Sequence, residues 1–329
     1  MGLRDFIREL FGGQGAGVRR TERPGDRQRE SRPEPPGLGP EELSRRLGAG
    51  LAELLAIKPQ YGTFEVPKRS GGRRTIHAPA PQLKALQRRI LRRLLGRLAV
   101  HPAAVGFERK QSIVTHARRH AGAAVVLRMD IRDFFPSTTR SRVGEYLRAI
   151  GWGREARDML LGWLTWRDAL PQGAPTSPRL SNLTNYAMDA RLSGQAAACG
   201  ATYTRYADDL TFSFAADSRQ AVRKVIGGTK KIVGDYGYRL HQKRKLVIRR
   251  RHQRQMVTGL VVNARPALPR QTRRRLRAIR HHLAAGRAAT LTAEQLAGWN
   301  ALETMILRQR VAPAADGGSG KQTRPDLAR

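Results

Sequence analysis

One cysteine, Cys199, stands in a chain of 329 residues. Neither an intramolecular disulfide nor a cysteine-rich zinc module can be built from it. Acids are also scarce: 26 Asp and Glu face 62 Lys and Arg, which leaves a formal net charge of +36. Aromatics make up 6% of the chain, so the core must come largely from Leu, Val, Ile and Ala. No apolar run reaches the ~20 residues that cross a bilayer. The opening MGLRDFIRELFGG carries charges inside its short apolar pattern, unlike a secretory leader. These absences lead to the expectation of a cytoplasmic protein with no membrane association.

Hydrophobic residues make up 40% of the chain, enough for a sizeable core, and the length suggests about two domains. Of the basic residues 52 are Arg, whose planar fork of donors pairs with phosphate in bidentate fashion. A GC-rich genome explains Arg in place of Lys but not the sign of the net charge. A charge this large repels itself unless a polyanion neutralises it. Nucleic acid is therefore the leading partner, ahead of an anionic membrane or an acidic protein. Two acid-free runs sharpen this: ten Lys and Arg lie between Glu65 and Glu108, and sixteen between Tyr236 and Ala293. A solvated helix face usually mixes signs, so these runs read as phosphate-facing surfaces.

Along the chain, residues 1–12 form an amphipathic helical pattern (Leu3, Phe6, Ile7, Leu10, Phe11), suited to docking on the protein or on a partner. Residues 13–40 read as a flexible linker. A helical period returns over 41–57. Residues 61–79 read as a β-hairpin turning at Ser70-Gly71-Gly72, and 82–99 as a helix. Residues 124–130 are a strand ending on Asp130. Helical patterns over 140–166 break near Gly151 and Gly153, and 179–198 forms another helix. Residues 202–214 alternate on both sides of a tight turn, a hairpin with Asp208 and Asp209 at its tip. A helix over 219–236, a short strand over 256–262, two helices over 270–311 around Gly286 and a disordered tail over 312–329 complete the chain.

In so basic a chain, adjacent acids need a reason. Like charges held together raise each other's pKa unless a cation neutralises them. Magnesium takes one or two carboxylates and completes its shell with water and substrate phosphate. Two such ions ~4 Å apart activate an attacking hydroxyl and stabilise a departing pyrophosphate. A strand-end Asp130 beside a hairpin Asp208-Asp209 therefore suggests a nucleotidyl transferase palm.

Tyr206-Ala207-Asp208-Asp209, between two apolar strands, resembles the YxDD motif of reverse transcriptases. Four further segments resemble that family in the right order. Lys68–Ile76 is similar to its fingers hairpin, Asp130–Ser137 to the motif with the first metal-binding Asp, Leu170–Pro178 to the loop against the nascent base pair, and Gly237–Leu240 to the following palm motif. The resemblance spans roughly residues 41–310. It implies an α+β right-hand polymerase fold: an N-terminal helix and linker (1–40), fingers (41–125), a palm with an antiparallel sheet and helices (126–255), a palm–thumb junction and short helical thumb (256–311), and the tail (312–329).

By resemblance, Asp130, Asp208 and Asp209 are the catalytic acids. They hold two Mg²⁺ ions, for which Mn²⁺ can substitute, with the Ile131 carbonyl as a further ligand. Lys68 and Arg74 neutralise the triphosphate of a deoxynucleoside triphosphate, with Arg73 adjacent. Phe135 matches the aromatic that blocks a ribose 2′-OH, Phe134 suits the core, and Gln172 and Gly173 contact the nascent pair. The family's palm lysine falls on Lys243, Arg244 or Lys245.

Two features are similar to bacterial retron enzymes: the triplet Val257-Thr258-Gly259, and His116-Ala117-Arg118-Arg119-His120 at the position of that group's Asn-Ala-x-x-His signature, with His116 in place of Asn. The resemblance implies a structured non-coding RNA as partner and template, contacted through His116, His120, the triplet and thumb arginines Arg273, Arg274 and Arg277. It implies priming from a guanosine 2′-OH, a branched RNA–DNA product (msDNA), and a separate effector protein in anti-phage defence. Alternatives are a group II intron or diversity-generating reverse transcriptase, or an inactive RNA-binding relative. Downstream of Asp235 only Glu294, Glu303, Asp316 and Asp326 remain, too scattered for a ribonuclease H acid cluster.

Overall fold

A computed structural model describes residues 37–67, 71–241 and 246–311. The expected N-terminal helix and C-terminal tail, Lys68 and the cluster Lys243, Arg244 and Lys245 lie outside these residues. Helices and antiparallel β-pairs mix along the chain, which divides into two units. The first comprises the residues up to Gln111 together with Ala124–Arg249; the second comprises Ser112–Ala123 and the residues from Arg250 onward.

The first unit opens with α1 (Pro40–Leu47) and α2 (Leu51–Ala56), separated where Gly48 takes a left-handed φ of 62° and caps α1. The single helical period of the sequence is thus two helices. Strands β1 (Tyr61–Pro67) and β2 (Arg73–Pro79) pair antiparallel from Tyr61 opposite Pro79 to Pro67 opposite Arg73. Helix α3 (Pro81–Ile90) starts on proline, whose missing N–H has no helical acceptor to lose at that position, and continues as a π-helical turn over Leu91–Leu95. In the second unit α4 (Ile113–Arg118) starts at a capping box, with Ser112 accepting from the Thr115 amide and Thr115 from the Ser112 amide.

Strand β3 (Val125–Asp130) reads as an unbroken apolar run up to Arg128, and Val125, Val126 and Leu127 are buried on both its faces, as suits a central strand. After it come α5 (Phe134–Ser137), α6 (Arg140–Ala149), α7 (Arg154–Leu164), α8 (Ser177–Thr184) and α9 (Tyr186–Ala198). Then β4 (Ala201–Tyr206) and β5 (Asp209–Phe214) form the expected hairpin, α10 (Arg219–Asp235) follows, and β6 (Val247–Arg250) completes a four-stranded sheet of order β4-β5-β3-β6.

Period-two alternation sorts this sheet's faces. Val125, Leu127 and Met129 of β3, with Leu210, Phe212 and Phe214 of β5, pack against Met188, Leu192 and Ala196 of α9 and Val222, Val225 and Ile232 of α10. The opposite face carries Arg128 and Asp130 of β3 beside Thr211 and Asp209 of β5. A separate core joins α1, α3, α6, α7 and α8 through residues such as Leu43, Leu83, Leu147, Leu160 and Leu180. Both cores lie in the first unit.

In the second unit, β7 (Met256–Val257) and β8 (Leu260–Val261) form a hairpin rather than the single strand expected over 256–262. Thr258 (φ 45°) and Gly259 (φ 84°) make its two-residue turn, and positive φ at both positions matches the right-handed twist of a hairpin. Helices α11 (Arg270–Ala284) and α12 (Ala293–Val311) follow. Helix α4 packs on α12 and on the β7–β8 hairpin.

Candidate active site

Asp130 ends β3 and lies opposite Asp209, the first residue of β5. Asp208 precedes it in the two-residue turn from β4, and its carbonyl accepts from the Ile131 amide at 2.9 Å. The sheet register thus gathers the three expected acids at one end of two adjacent strands. They are not equivalent. Asp130 and Asp208 line a cavity of about 870 Å³, whereas Asp209 is drawn away from it by Arg128. The Arg128 Nε donates to Asp209 Oδ1 at 3.3 Å, and a second Arg128 nitrogen reaches Oδ2. Burial pushes the Asp209 carboxyl up, Arg128 opposes this, and Asp130 and Asp208 add to the rise. On the cavity side, His241 Nε2 approaches Asp130 Oδ1 at 3.4 Å.

Two carboxylates on one cavity are hard oxygen donors that fit a magnesium or manganese ion sharing its shell with phosphate and water. Among the described residues no group of three or more His, Cys, Asp or Glu closes into a metal cage. An ion that completes its shell from substrate does not require one.

The same cavity is lined by Arg73, Arg74, Phe135 and Gln172. Arg73 is held by Glu65 at 3.0 Å, while no such pair among the described residues engages Arg74, opposite Val66 in the hairpin. Both Phe134 and Phe135 line the cavity, but Phe134 is buried within the sheet's core, whereas Phe135 is half-buried and more open to the space. The Gln172 carbonyl accepts from the His77 amide at 2.8 Å, which ties its loop to β2. Gly173 sits at φ 135°, and a Cβ there would stand 2.7 Å from the His77 carbonyl oxygen. Only glycine lets this loop approach the hairpin so closely.

The hairpin tip is itself supported. Ala207 holds φ 57°, a left-handed conformation that costs an alanine energy. Gly106 lies against it; a Cβ at that position would meet the Ala207 amide nitrogen at 2.7 Å. Phe107 follows at φ 66°, exposed on the cavity, with ring centroids 6.2 Å from Phe135 and 6.3 Å from Tyr206. Behind the turn, Arg205 and Asp189 form a fully buried ion pair. Burial disfavours the Arg205 charge, but the Asp189 carboxylate more than offsets this and raises its pKa.

Sequence pattern alone does not single out Phe107, Arg205 or Asp189. A signal for Arg205 exists: on β4 it shares the alternation of Tyr203, so it must face the helices with Phe212. Phe107 carries no comparable mark, because its exposure depends on backbone conformation.

The remaining candidates belong to the second unit. Arg273, Arg274 and Arg277 are exposed on α11. Val257 is buried, Gly259 is exposed, and the Thr258 hydroxyl donates to the Ile113 carbonyl at 3.1 Å. His116 and His120 do not reach the surface: they are 0% and 1% exposed, and their rings meet edge to face at 5.5 Å. His116 is turned inward on α4, and His120 is buried in the turn that follows the helix.

Residues 66–260 match the family described as reverse transcriptase (RNA-dependent DNA polymerase). The chain is 43% identical over 239 residues to the retron Mx65 reverse transcriptase of Myxococcus xanthus, a match covering 67% of this chain and 55% of that protein. It is 39% identical over 288 residues to the retron Mx162 reverse transcriptase of the same organism, covering 75% of this chain and 59% of the relative. It is 37% identical over 243 residues to the retron Ec86 reverse transcriptase of Escherichia coli, covering 73% and 74% respectively. The matches thus span little more than half the length of the two Myxococcus proteins.

Proposed function

The chain belongs to the reverse transcriptase family, with bacterial retron enzymes among its relatives, and from that premise we propose that it is an RNA-directed DNA polymerase that copies part of a structured RNA. The observation that carries the reading is the shared cavity: Asp130 and Asp208 open onto the same space as Arg74, Phe135 and Gln172. Asp130, Asp208 and the Ile131 carbonyl would hold magnesium, which would neutralise charge on the attacking hydroxyl and the departing pyrophosphate. Arg74, with Lys68, draws in the triphosphate. Phe135, on the cavity, would exclude a ribose 2′-OH, and Gln172 with Gly173 would contact the nascent pair. Asp209 is the third acid; its bond to Arg128 favours an electrostatic role.

In the right-hand description, the β1–β2 hairpin and its helices act as fingers, the four-stranded sheet as palm and the second unit as thumb. Residues 112–123 go with the thumb in this assignment, because they pack with the C-terminal helices. The exposed arginines of α11 supply phosphate contacts that position RNA without reading its sequence. The retron reading adds priming from an internal guanosine 2′-OH, a branched msDNA product and a separate effector in phage defence. It is supported by the identity to retron enzymes and by the Val257-Thr258-Gly259 hairpin.

Two measurements test the proposal. The protein should incorporate labelled deoxynucleotides on a primed RNA template with Mg²⁺ or Mn²⁺, and no incorporation with either ion would refute the polymerase reading. Nucleic acid that copurifies with the protein should contain short DNA joined to RNA by a 2′–5′ bond; linear RNA alone would refute the retron reading.

A further inference from the structure

The metal chemistry makes no direct use of the buried Arg205–Asp189 pair. Both side chains are 0% exposed, and the fold alone does not call for such a pair. Apolar side chains of similar volume usually serve a core equally well or better, because they avoid removing two charges from water.

The bonds indicate what the pair is for. The Arg205 guanidinium forks onto Asp189, Nε to Oδ1 at 2.8 Å and Nη2 to Oδ2 at 2.6 Å. Tyr203 donates its hydroxyl to the same Oδ1 at 2.8 Å. The remaining Arg205 nitrogen, Nη1, donates to the Asn182 side-chain oxygen at 3.1 Å and to the Ala207 carbonyl at 3.2 Å. Ala207 is the strained residue of the hairpin tip, and Asp208 comes directly after it. Asn182 in turn donates to the Gly106 carbonyl at 2.8 Å, and Gly106 is the glycine pressed against the Ala207 amide. One guanidinium, fixed in its plane by Asp189, therefore grips both the turn and the segment packed on it.

We propose that Arg205, locked by Asp189, is a positioning residue: it holds the Ala207 carbonyl, and so the strained turn, in the one arrangement that presents Asp208 to the cavity beside Asp130. The proposal rests on reading Asp130 and Asp208 as metal carboxylates, but its geometric core does not. The Asp208 carbonyl accepts from the Ile131 amide, so exchange of that amide reports whether the turn stays seated, whatever the protein catalyses.

Two variants test it. Arg205→Lys keeps the charge beside Asp189 but cannot fork onto the carboxylate and reach the Ala207 carbonyl as well. The triple variant Arg205→Met, Asp189→Leu, Tyr203→Phe removes the buried charges and the hydroxyl that depends on them, and leaves the turn without its anchor. In both, unfolding should remain cooperative and amides at the centre of β3 should stay protected. Hydrogen exchange at Ile131 and across Tyr206–Asp209 should accelerate by about tenfold or more, the loss expected for a hydrogen bond from a charged donor. The Mg²⁺ concentration for half-maximal incorporation should rise by about tenfold on the same grounds, with the KM for primer–template unchanged.

Wild-type exchange at Ile131 together with wild-type magnesium dependence in either folded variant would overturn the proposal. Loss of protection across the whole sheet, or failure of both variants to fold, would also overturn it, because the pair would then serve the fold and not the turn. A wild-type protein that incorporates no nucleotide would refute the polymerase reading, while the exchange measurement would still decide whether Arg205 holds the turn.

Discussion

Asp130 and Asp209 stand opposite each other in the register of β3 and β5, yet only Asp130 opens onto the cavity, because Arg128 on the same face takes hold of Asp209. The three acids should therefore respond differently to removal of charge. Asp130→Asn or Asp208→Asn should lower the rate of nucleotide incorporation by about 10²–10³-fold, the scale for removing a group aimed at developing charge. Asp209→Asn should cost less, and all three variants should bind RNA as the wild type does. Equal losses in single-turnover incorporation would place Asp209 among the direct metal ligands.

The two hairpin arginines provide a second contrast. Arg73 is engaged by Glu65, whereas no described acid pairs with Arg74. Arg74→Ala should raise the KM for deoxynucleotide by about tenfold, as for the loss of one charge-assisted hydrogen bond to phosphate. Arg73→Ala should have a much smaller effect. Steady-state kinetics on one primer–template distinguishes them, and the reverse ranking would move the triphosphate contact to Arg73.

Phe134 and Phe135 both line the cavity, but only Phe135 is half-exposed there, while Phe134 is 4% exposed and sits in the core. Phe135→Val should raise incorporation of ribonucleotides relative to deoxyribonucleotides without loss of fold, whereas Phe134→Val should act through stability. Competition between the two nucleotide types in a single reaction gives the ratio. An unchanged ratio in an active Phe135→Val enzyme would remove its role at the ribose.

On α11, Arg273, Arg274 and Arg277 are exposed. Replacing all three with alanine should weaken binding to any RNA and reduce the slope of log affinity against log salt by about two, at roughly 0.7 for each phosphate no longer neutralised. Filter binding across a salt series measures this. A loss confined to one RNA sequence would mean that these arginines read bases and do not merely neutralise phosphate.

Burial, with the charges of His116 and Arg119 adding to it, holds the His120 imidazole well below its ordinary range. The folded unit thus binds fewer protons than the unfolded chain, so its stability is fully present above the unfolded pKa of about 6.5 and falls as pH drops below it. Denaturant midpoints should decline from about pH 7.5 to about 5.5, and His120→Gln should flatten that decline. A decline of the same steepness in the variant would assign the acid sensitivity to other groups.

The hairpin carrying Asp208 is legible in the sequence because Leu210, Phe212 and Phe214 mark one strand face, and two acids between such strands can only be a tip. Phe135 is marked in the sequence only by its match to the reverse transcriptase motif after Asp130, and no periodicity past the end of β3 fixes where it points. The features hidden from the sequence are those set by long-range packing. Arg205 and Asp189 lie sixteen residues apart on a strand and a helix; the alternation of β4 can turn Arg205 inward, but no local pattern names the acid that meets it. The hairpin at Thr258-Gly259 reads as a strand because threonine is uncommon at positive φ, so only its glycine signals a turn. Residues 112–123 follow the first unit in sequence but pack with helices more than 150 residues further on, a pairing no local pattern announces.

The segment Ala103–Gly106 that presses Gly106 against the β4–β5 turn has another effect. It runs along the outer side of β4, with Arg205 donating its amide to Ala103 and its carbonyl accepting from Val105, and Ala104 bridging Arg205 in parallel. Those bonds use up backbone groups that a sheet edge otherwise offers to other chains. Strand addition along β4, whether by a partner peptide or a misfolded copy, is thereby blocked at its Arg205 end, next to the hairpin turn.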